Sequence, residues 1–242
     1  MLKVSAYERP TSLNEALAAL EQGRSVLVGG GTRLCLRVGP DPVVAVDLQA
    51  AGLGGVRRQG DDKVLIGATT TLEEIAESLE LPDAVREAAR RELPSTLRTL
   101  STLGGCVASA EFESELLATL LVYRSTVQLV GNSGTSVIPL AELLCEPGQL
   151  TGRIIATVEM ELGGQVTVAR VARMPGDRAI VAAVARRDPL GTLLLAFSGV
   201  ATAPVLTENP ETLEPPGDFR GSTEYRKAVA NVLGTRVREA LQ

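Results

Sequence analysis

Two glycine-centred loops, GGGT at residues 29–32 and STLGG at residues 101–105, constrain this chain more than any other feature of its sequence. Glycine has no Cβ, so backbone N–H groups in such a loop can come close to an anion, and a hydroxyl can complete the cradle. A single glycine loop more often serves only as a turn. A pair of them, each in a fitting context, predicts a diphosphate held between two segments. The residues predicted to hold it are Gly29, Gly30, Gly31, Thr32, Ser101, Thr102, Gly104 and Gly105.

The first loop follows a predicted strand at residues 25–28, and residues 42–47 are predicted to form a strand parallel to it. A helix precedes them, opened by the capping box Ser-Leu-Asn-Glu at residues 12–15 and ended by Gly23. The glycines therefore lie at the carboxyl end of a strand, where α/β sheets usually bind ligands. The loop is neither a Walker P-loop nor a G-x-G-x-x-G dinucleotide motif.

The second loop lies in a stretch of small and hydroxylated residues, 95–113, that has no clear period and is predicted to be a long ordered loop. Before it, Thr71 opens a capped helix, and after it Ser114 caps another. An Asn-Ser-Gly turn at residues 132–134 predicts a hairpin. Farther on, the spacing predicts three antiparallel strands and a terminal helix. The strands are 166–171, 180–185 and 192–197, and the helix runs from about Ser222 to the end.

Composition excludes most catalytic chemistry for this chain. It has 242 residues and no histidine, which removes Ser-His-Asp, Cys-His and histidine-ligated metal sites. The cysteines at 35, 106 and 145 form no CxxC pair, so neither a disulfide framework nor an iron–sulfur or zinc site is indicated. A formal net charge of −5 argues against a nucleic-acid partner, and no apolar stretch is long enough for membrane insertion. We therefore expect a cytoplasmic protein that either binds a cofactor or does no chemistry.

Four motifs, in order along the chain, match one family. Members carry Ala-Gly-Gly-Thr-Asp-Leu, a strand ending Ile-Gly-Ala, Arg-Asn-x-Gly-Thr-Ile-Gly-Gly-Asn, and Ser-x-Tyr-Arg. This chain has GGGTRL at 29–34, IGATT at 66–70, RTLSTLGGC at 98–106 and GSTEYRK at 221–227. Along nearly its whole length it resembles the FAD-binding, medium subunit of molybdenum hydroxylases of the carbon monoxide dehydrogenase and xanthine dehydrogenase type.

The resemblance implies an α+β fold. A two-subdomain FAD-binding domain of the molybdopterin dehydrogenase type is expected at residues 1–163, with subdomains of about 1–54 and 55–163. A small, shortened C-terminal domain, 164–242, would follow, with a three-stranded antiparallel sheet and a helix.

The resemblance also implies a flavoprotein oxidoreductase subunit in a heteromeric complex. A large molybdopterin subunit would oxidise the substrate, a small iron–sulfur subunit would relay the electrons, and FAD would pass them to NAD or a quinone-type acceptor. The flavin carries that chemistry, so no catalytic side chain and no metal ligand is expected here. The alternative is a non-catalytic scaffold subunit of the same fold that has lost FAD.

Several positions of the implied FAD site depart from the family pattern. Arg33, before Leu34, replaces the usual aspartate, and it is interpreted either as positive charge for the diphosphate or as a solvated surface arginine. Cys106 stands where asparagine is common. Glu115 replaces an aspartate that helps to fix the ribitol–phosphate region, and Arg178 takes a position near the flavin ring often held by tyrosine. The implied cofactor-binding set is therefore the two loops with Arg33, Leu34, Cys106, Glu115 and Arg178.

Two charge patterns outside the motifs have first interpretations that involve no ligand or catalysis. Glutamates at 111, 113 and 115 read as charge near a helix start. Arginines at 170, 173, 186 and 187 read as a solvated face, with a partner subunit as the alternative.

Overall fold

A computed structural model describes residues 3–21, 23–34 and 41–242, and Cys35 lies outside these ranges. The described elements form three sheets with helices packed between and beside them. None of the described helices is both long and apolar enough to cross a bilayer.

The first sheet has three parallel strands and precedes residue 54. It contains β1 (Val4–Glu8), β2 (Ser25–Val28) and β3 (Val43–Asp47) in the order β1-β3-β2, with helix α1 (Leu13–Glu21) beside it. The predicted parallel pairing of β2 with β3 is confirmed. Only half of the predicted capping box forms, because the Glu15 carboxylate accepts from the N–H and hydroxyl of Thr11 instead of from Ser12.

The second sheet has five antiparallel strands. They are β4 (Val56–Gln59), β5 (Lys63–Gly67), β6 (Thr126–Gly131), β7 (Gly134–Pro139) and β8 (Arg153–Glu161), in the order β4-β5-β8-β6-β7. Its helices are α2 (Leu72–Glu77), α3 (Asp83–Glu92), α4 (Ser95–Arg98), α5 (Leu103–Ser109), α6 (Glu115–Val122) and α7 (Leu140–Cys145). The caps of α2 by Thr71 and of α6 by Ser114 form as predicted.

The prediction of a long loop over residues 95–113 is wrong, because α4 and α5 lie within it. Thr102 caps α5 by accepting the N–H of Gly105, so both glycines of the second loop are helical. A Cβ on Gly104 would lie 2.9 Å from the Ala68 carbonyl oxygen, so a glycine lets α5 pack against the end of β5. Both helices are short and rich in small residues, so their sequences show no helical repeat of apolar residues.

The third sheet is antiparallel, as predicted, and has one more strand than the three expected. It contains β9 (Gln165–Val171), β10 (Val181–Arg187), β11 (Leu193–Ser198) and the two-residue β12 (Val205–Leu206). Helix α8 (Thr223–Glu239) covers one face and buries Leu233 and Val237 against Phe197 of β11. The other face packs on α6, every residue of which is buried, so the third sheet shares its core with the second.

Candidate functional site

The two glycine loops, separated in sequence, come together in one cleft between the end of β2 and helix α5. Ten of the residues predicted to bind a cofactor line it. They are Gly29, Gly30, Gly31, Thr32, Arg33, Leu34, Ser101, Thr102, Gly105 and Cys106. Gly104 lines an adjoining cavity, and Glu115 and Arg178 line neither.

Two glycines of the first loop, Gly29 and Gly30, are required by contact with residues 100–102. A Cβ on Gly30 would lie 1.6 Å from the Leu100 carbonyl oxygen, and one on Gly29 would lie 2.4 Å from the Thr102 hydroxyl oxygen. Real Cβ atoms do not approach so closely. The sequence was interpreted to mean that these glycines give an anion access to the backbone. Close packing is the more direct reason for glycine at these two positions.

Several donors of the cleft have no hydrogen-bond partner among the described residues. In the described part of the chain, the amides of Gly29, Gly30 and Gly31 donate to no backbone carbonyl. In α5, by contrast, the amides of Leu103 and Gly104 already donate to the carbonyls of Thr70 and Ala68, at 2.9 and 2.8 Å. The first loop thus offers amides and the Thr32 hydroxyl, and the second offers hydroxyls.

Two hydroxyls meet where the loops touch, and a third lines the same cleft. The hydroxyl oxygens of Thr32 and Ser101 lie 2.8 Å apart. The Thr102 hydroxyl accepts from the N–H of Gly105, so its own O–H can still donate. Hydroxyls and free amides bind phosphate oxygens in many proteins. This donor set fits a diphosphate.

Arg33 brings positive charge to the same cleft. One of its terminal nitrogens, Nη1, pairs with Glu111, while Nη2 is buried and has no hydrogen-bond partner among the described residues. Burial lowers the pKa of the Arg33 guanidinium, which reflects how much water it has lost. A buried, unpaired guanidinium nitrogen is costly unless an anion reaches it. Of the two interpretations of Arg33, the structure therefore disfavours a solvated surface arginine.

Cys106 lies in the wall of the cleft as a buried thiol. Burial raises its pKa to about 12, and nearby Glu92 adds to the shift. At neutral pH it is therefore a neutral thiol and a poor nucleophile.

A second cavity adjoins the cleft, and Gly29 and Thr102 line both. Its wall is mostly apolar, with Arg153 at one edge donating to the Ser136 hydroxyl over 3.3 Å. The apolar lining consists of Leu27, Leu48, Ala68, Ala108, Leu150 and Ile155. A ligand longer than a diphosphate therefore has an apolar surface next to the polar cleft.

Glu115 and Arg178 lie in ion pairs and do not line the cleft. Arg170 and Arg91 contact the Glu115 carboxylate at 2.8 and 3.2 Å, and burial raises the pKa of Glu115 against the opposing effect of those arginines. Arg178 binds Glu92 and Glu111, each at 2.6 Å. Their predicted contact with FAD stays a prediction.

The acidic set at 111, 113 and 115 attaches the third sheet and α8 to the rest of the chain. Each glutamate pairs with arginines from beyond residue 164. The pairs are Glu111 with Arg178, Glu113 with Arg220 and Arg226, and Glu115 with Arg170. The sequence showed the spacing of these carboxylates but gave no signal of their partners.

The prediction of a solvated basic face is wrong for two of its arginines. The Arg170 side chain is only 15% exposed, and Arg186 is fully buried. The guanidinium of Arg186 donates to the backbone carbonyls of Val122, Leu162 and Gly163. Both arginines therefore join elements of this chain.

No group of three or more cysteine, aspartate or glutamate side chains is placed to hold a metal ion in residues 3–21, 23–34 and 41–242.

Comparisons with known proteins identify the family of this chain. The family described as "FAD binding domain in molybdopterin dehydrogenase" matches residues 2–160. YgfM of Escherichia coli K12, which is uncharacterized, is 27% identical over 249 residues, or 95% of this chain and 93% of YgfM. The glyceraldehyde dehydrogenase medium chain of Sulfolobus acidocaldarius is 25% identical over 268 residues, or 94% of this chain and 95% of that one.

Among solved structures, a chain of CO dehydrogenase from Oligotropha carboxidovorans has the same fold. It superposes with a TM-score of 0.85 at 23% identity and covers 100% of this chain and 99% of the other.

Proposed function

This chain belongs to the family of FAD-binding domains of molybdopterin dehydrogenases, and from that premise we propose that it is the electron-transfer medium subunit of a heteromeric molybdenum hydroxylase. FAD is the cofactor of the family. In the proposed complex, a small iron–sulfur subunit delivers electrons to this chain, and FAD passes them to NAD or a quinone-type acceptor. A large molybdopterin subunit carries out the substrate chemistry.

The observation that carries the proposal is the meeting of both glycine loops in one cleft that keeps free donors. The amides of residues 29–31 and the hydroxyls of Thr32, Ser101 and Thr102 would hold the diphosphate. Arg33 would add a positive charge, because its Nη2 has no other partner among the described residues. The adjoining apolar cavity supports a ligand with a ring system beyond the diphosphate.

Bound FAD supplies the redox chemistry, and the residues of this chain bind and orient it. The contact of Thr32 with Ser101 joins the two loops. The ion pairs of Arg178 and Arg170 hold the C-terminal region against α6, beside the cleft. No side chain of the cleft needs to gain or lose a proton, and Cys106 stays protonated at neutral pH.

The partners are supported by the relatives. The glyceraldehyde dehydrogenase relative is called a medium chain, and this chain covers 95% of it. A medium chain implies companions, and those of the family are an iron–sulfur small subunit and a molybdopterin large subunit. We place the complex in the cytoplasm.

A scaffold without flavin is the second candidate, and one contact favours it. Glu111 already neutralises Arg33, so the charge in the cleft has a partner from the chain itself. Such a subunit would keep the fold and the partners but not the cofactor.

The partners are tested by purifying the tagged full-length chain from its native host and measuring iron, molybdenum and flavin. Co-purification of iron and molybdenum with flavin supports an electron-transfer subunit. Iron and molybdenum without flavin supports the scaffold. Flavin on a chain that carries neither metal through gentle purification contradicts the proposed complex.

A further inference from the structure

We infer that Glu111 and the diphosphate of FAD compete for one guanidinium, that of Arg33, so that Glu111 weakens cofactor binding. The inference rests on the proposed function and identifies a residue outside the cleft lining that sets the affinity of the site. It follows from the contacts of four charged side chains.

Arg33 is the residue for which Glu111 and the diphosphate compete. It belongs to the first glycine loop and lines the cleft, and its side chain is 24% exposed. Nη1 contacts Glu111, and Nη2 is buried without a partner in the described part of the chain. An anion in the cleft would therefore meet a guanidinium that is already half engaged by a carboxylate.

Glu111 can give up Arg33 without becoming an unpaired carboxylate. Its other oxygen, Oε2, lies 2.6 Å from Nη1 of Arg178. Arg178 is held in turn by the buried Glu92, also at 2.6 Å. Because Arg178 stays in place, a diphosphate that draws Arg33 away leaves Glu111 with a cation. The exchange therefore leaves no carboxylate of this group unpaired.

Removing the Glu111 charge has two opposing effects on a bound diphosphate. It frees Arg33 and removes a like charge close to the phosphates, and both tighten binding. It also removes one contact that orients Arg33, which loosens binding. A charge in contact with Arg33 in a partly buried site outweighs the ordering of one side chain. We therefore expect Glu111→Gln to bind FAD about fivefold tighter or more.

The experiment measures the dissociation constant of FAD for the flavin-depleted full-length chain by fluorescence quenching. Glu73→Gln is the matched control, because Glu73 is 30% exposed against 34% for Glu111 and pairs with Arg98 instead of an arginine of the cleft. Glu73→Gln is expected to bind FAD like the wild type. Arg33→Gln is expected to weaken binding, and adding Glu111→Gln to it should give a clearly smaller gain than on the wild type, because only the removal of the like charge remains.

An unchanged or weaker affinity of a folded Glu111→Gln chain overturns the inference. An equal gain on the Arg33→Gln background overturns it as well, because the effect would then not pass through Arg33. Pyrophosphate is the second probe and separates this inference from the proposed function. If the wild type binds no FAD, the proposed function fails, and the inference is then decided by whether Glu111→Gln tightens pyrophosphate.

Discussion

The hydroxyl oxygens of Thr32 and Ser101 lie 2.8 Å apart although 69 positions separate the two residues in the chain. This hydrogen bond joins the loop after β2 to the segment before α5. The candidate site is thus assembled from two distant segments that contact each other directly.

We predict that the hydroxyls of Thr32 and Ser101 act as one unit. Thr32→Val and Ser101→Ala should each weaken FAD binding, by about 0.5–1.5 kcal/mol, and the double variant should lose less than the sum. The measurement is a double-mutant cycle on the dissociation constant of FAD. Strictly additive losses would contradict a functional contact between the loops.

We predict that Gly30→Ala destabilises the chain and also abolishes FAD binding, because the new Cβ would overlap the Leu100 carbonyl oxygen. The free energy of unfolding should fall by about 1–3 kcal/mol, as for other overpacked positions. Gly148→Ala is the matched control, since a Cβ there would meet nothing within 4 Å. Equal unfolding midpoints in denaturant for the two variants would contradict the packing of the loops.

We predict that Cys106 resists thiol reagents in the native protein, because burial raises its pKa to about 12. At pH 8 only about one thiol in ten thousand would be ionised. In a Cys35→Ser background, a disulfide reagent should therefore label the exposed Cys145 alone, and both thiols after unfolding. Rapid labelling of two thiols in the folded protein would show that Cys106 is accessible.

We predict that Leu233→Ala lowers the free energy of unfolding by about 2–5 kcal/mol, because it opens a cavity between α8 and the third sheet. Leu233 is 1% exposed, whereas its neighbour Val232 is 52% exposed. Val232→Ala should therefore change stability by less than about 0.5 kcal/mol. Similar losses in chemical denaturation would mean that α8 presents a different face to the sheet.

The sequence predicted the elements whose signals are local. The capped helices at Thr71 and Ser114, the hairpin after β6 and the meander of the third sheet all follow from patterns a few residues long. Strand β8, the central strand of the second sheet, was not predicted. Its place depends on pairing with β5 and β6 across long stretches of chain, as in the register of Lys63 with Glu161.

The candidate site also has some features that the sequence predicted and others that it did not. The glycine loops were recognisable because their residues are adjacent in sequence. The charges around them were not, because Glu115 and Glu113 find Arg170 and Arg226 at separations of 55 and 113 positions. A regular spacing of glutamates carries no information about partners that arrive from another part of the fold.

The most direct test of the account is to count FAD released by denaturation of the complex, purified after co-expression of this chain with its genomic neighbours. Near one FAD per chain is the predicted result, and it would assign the cleft to the flavin. No flavin, even after FAD is added to the intact complex, would contradict the electron-transfer function and leave a structural subunit that has the fold without the cofactor.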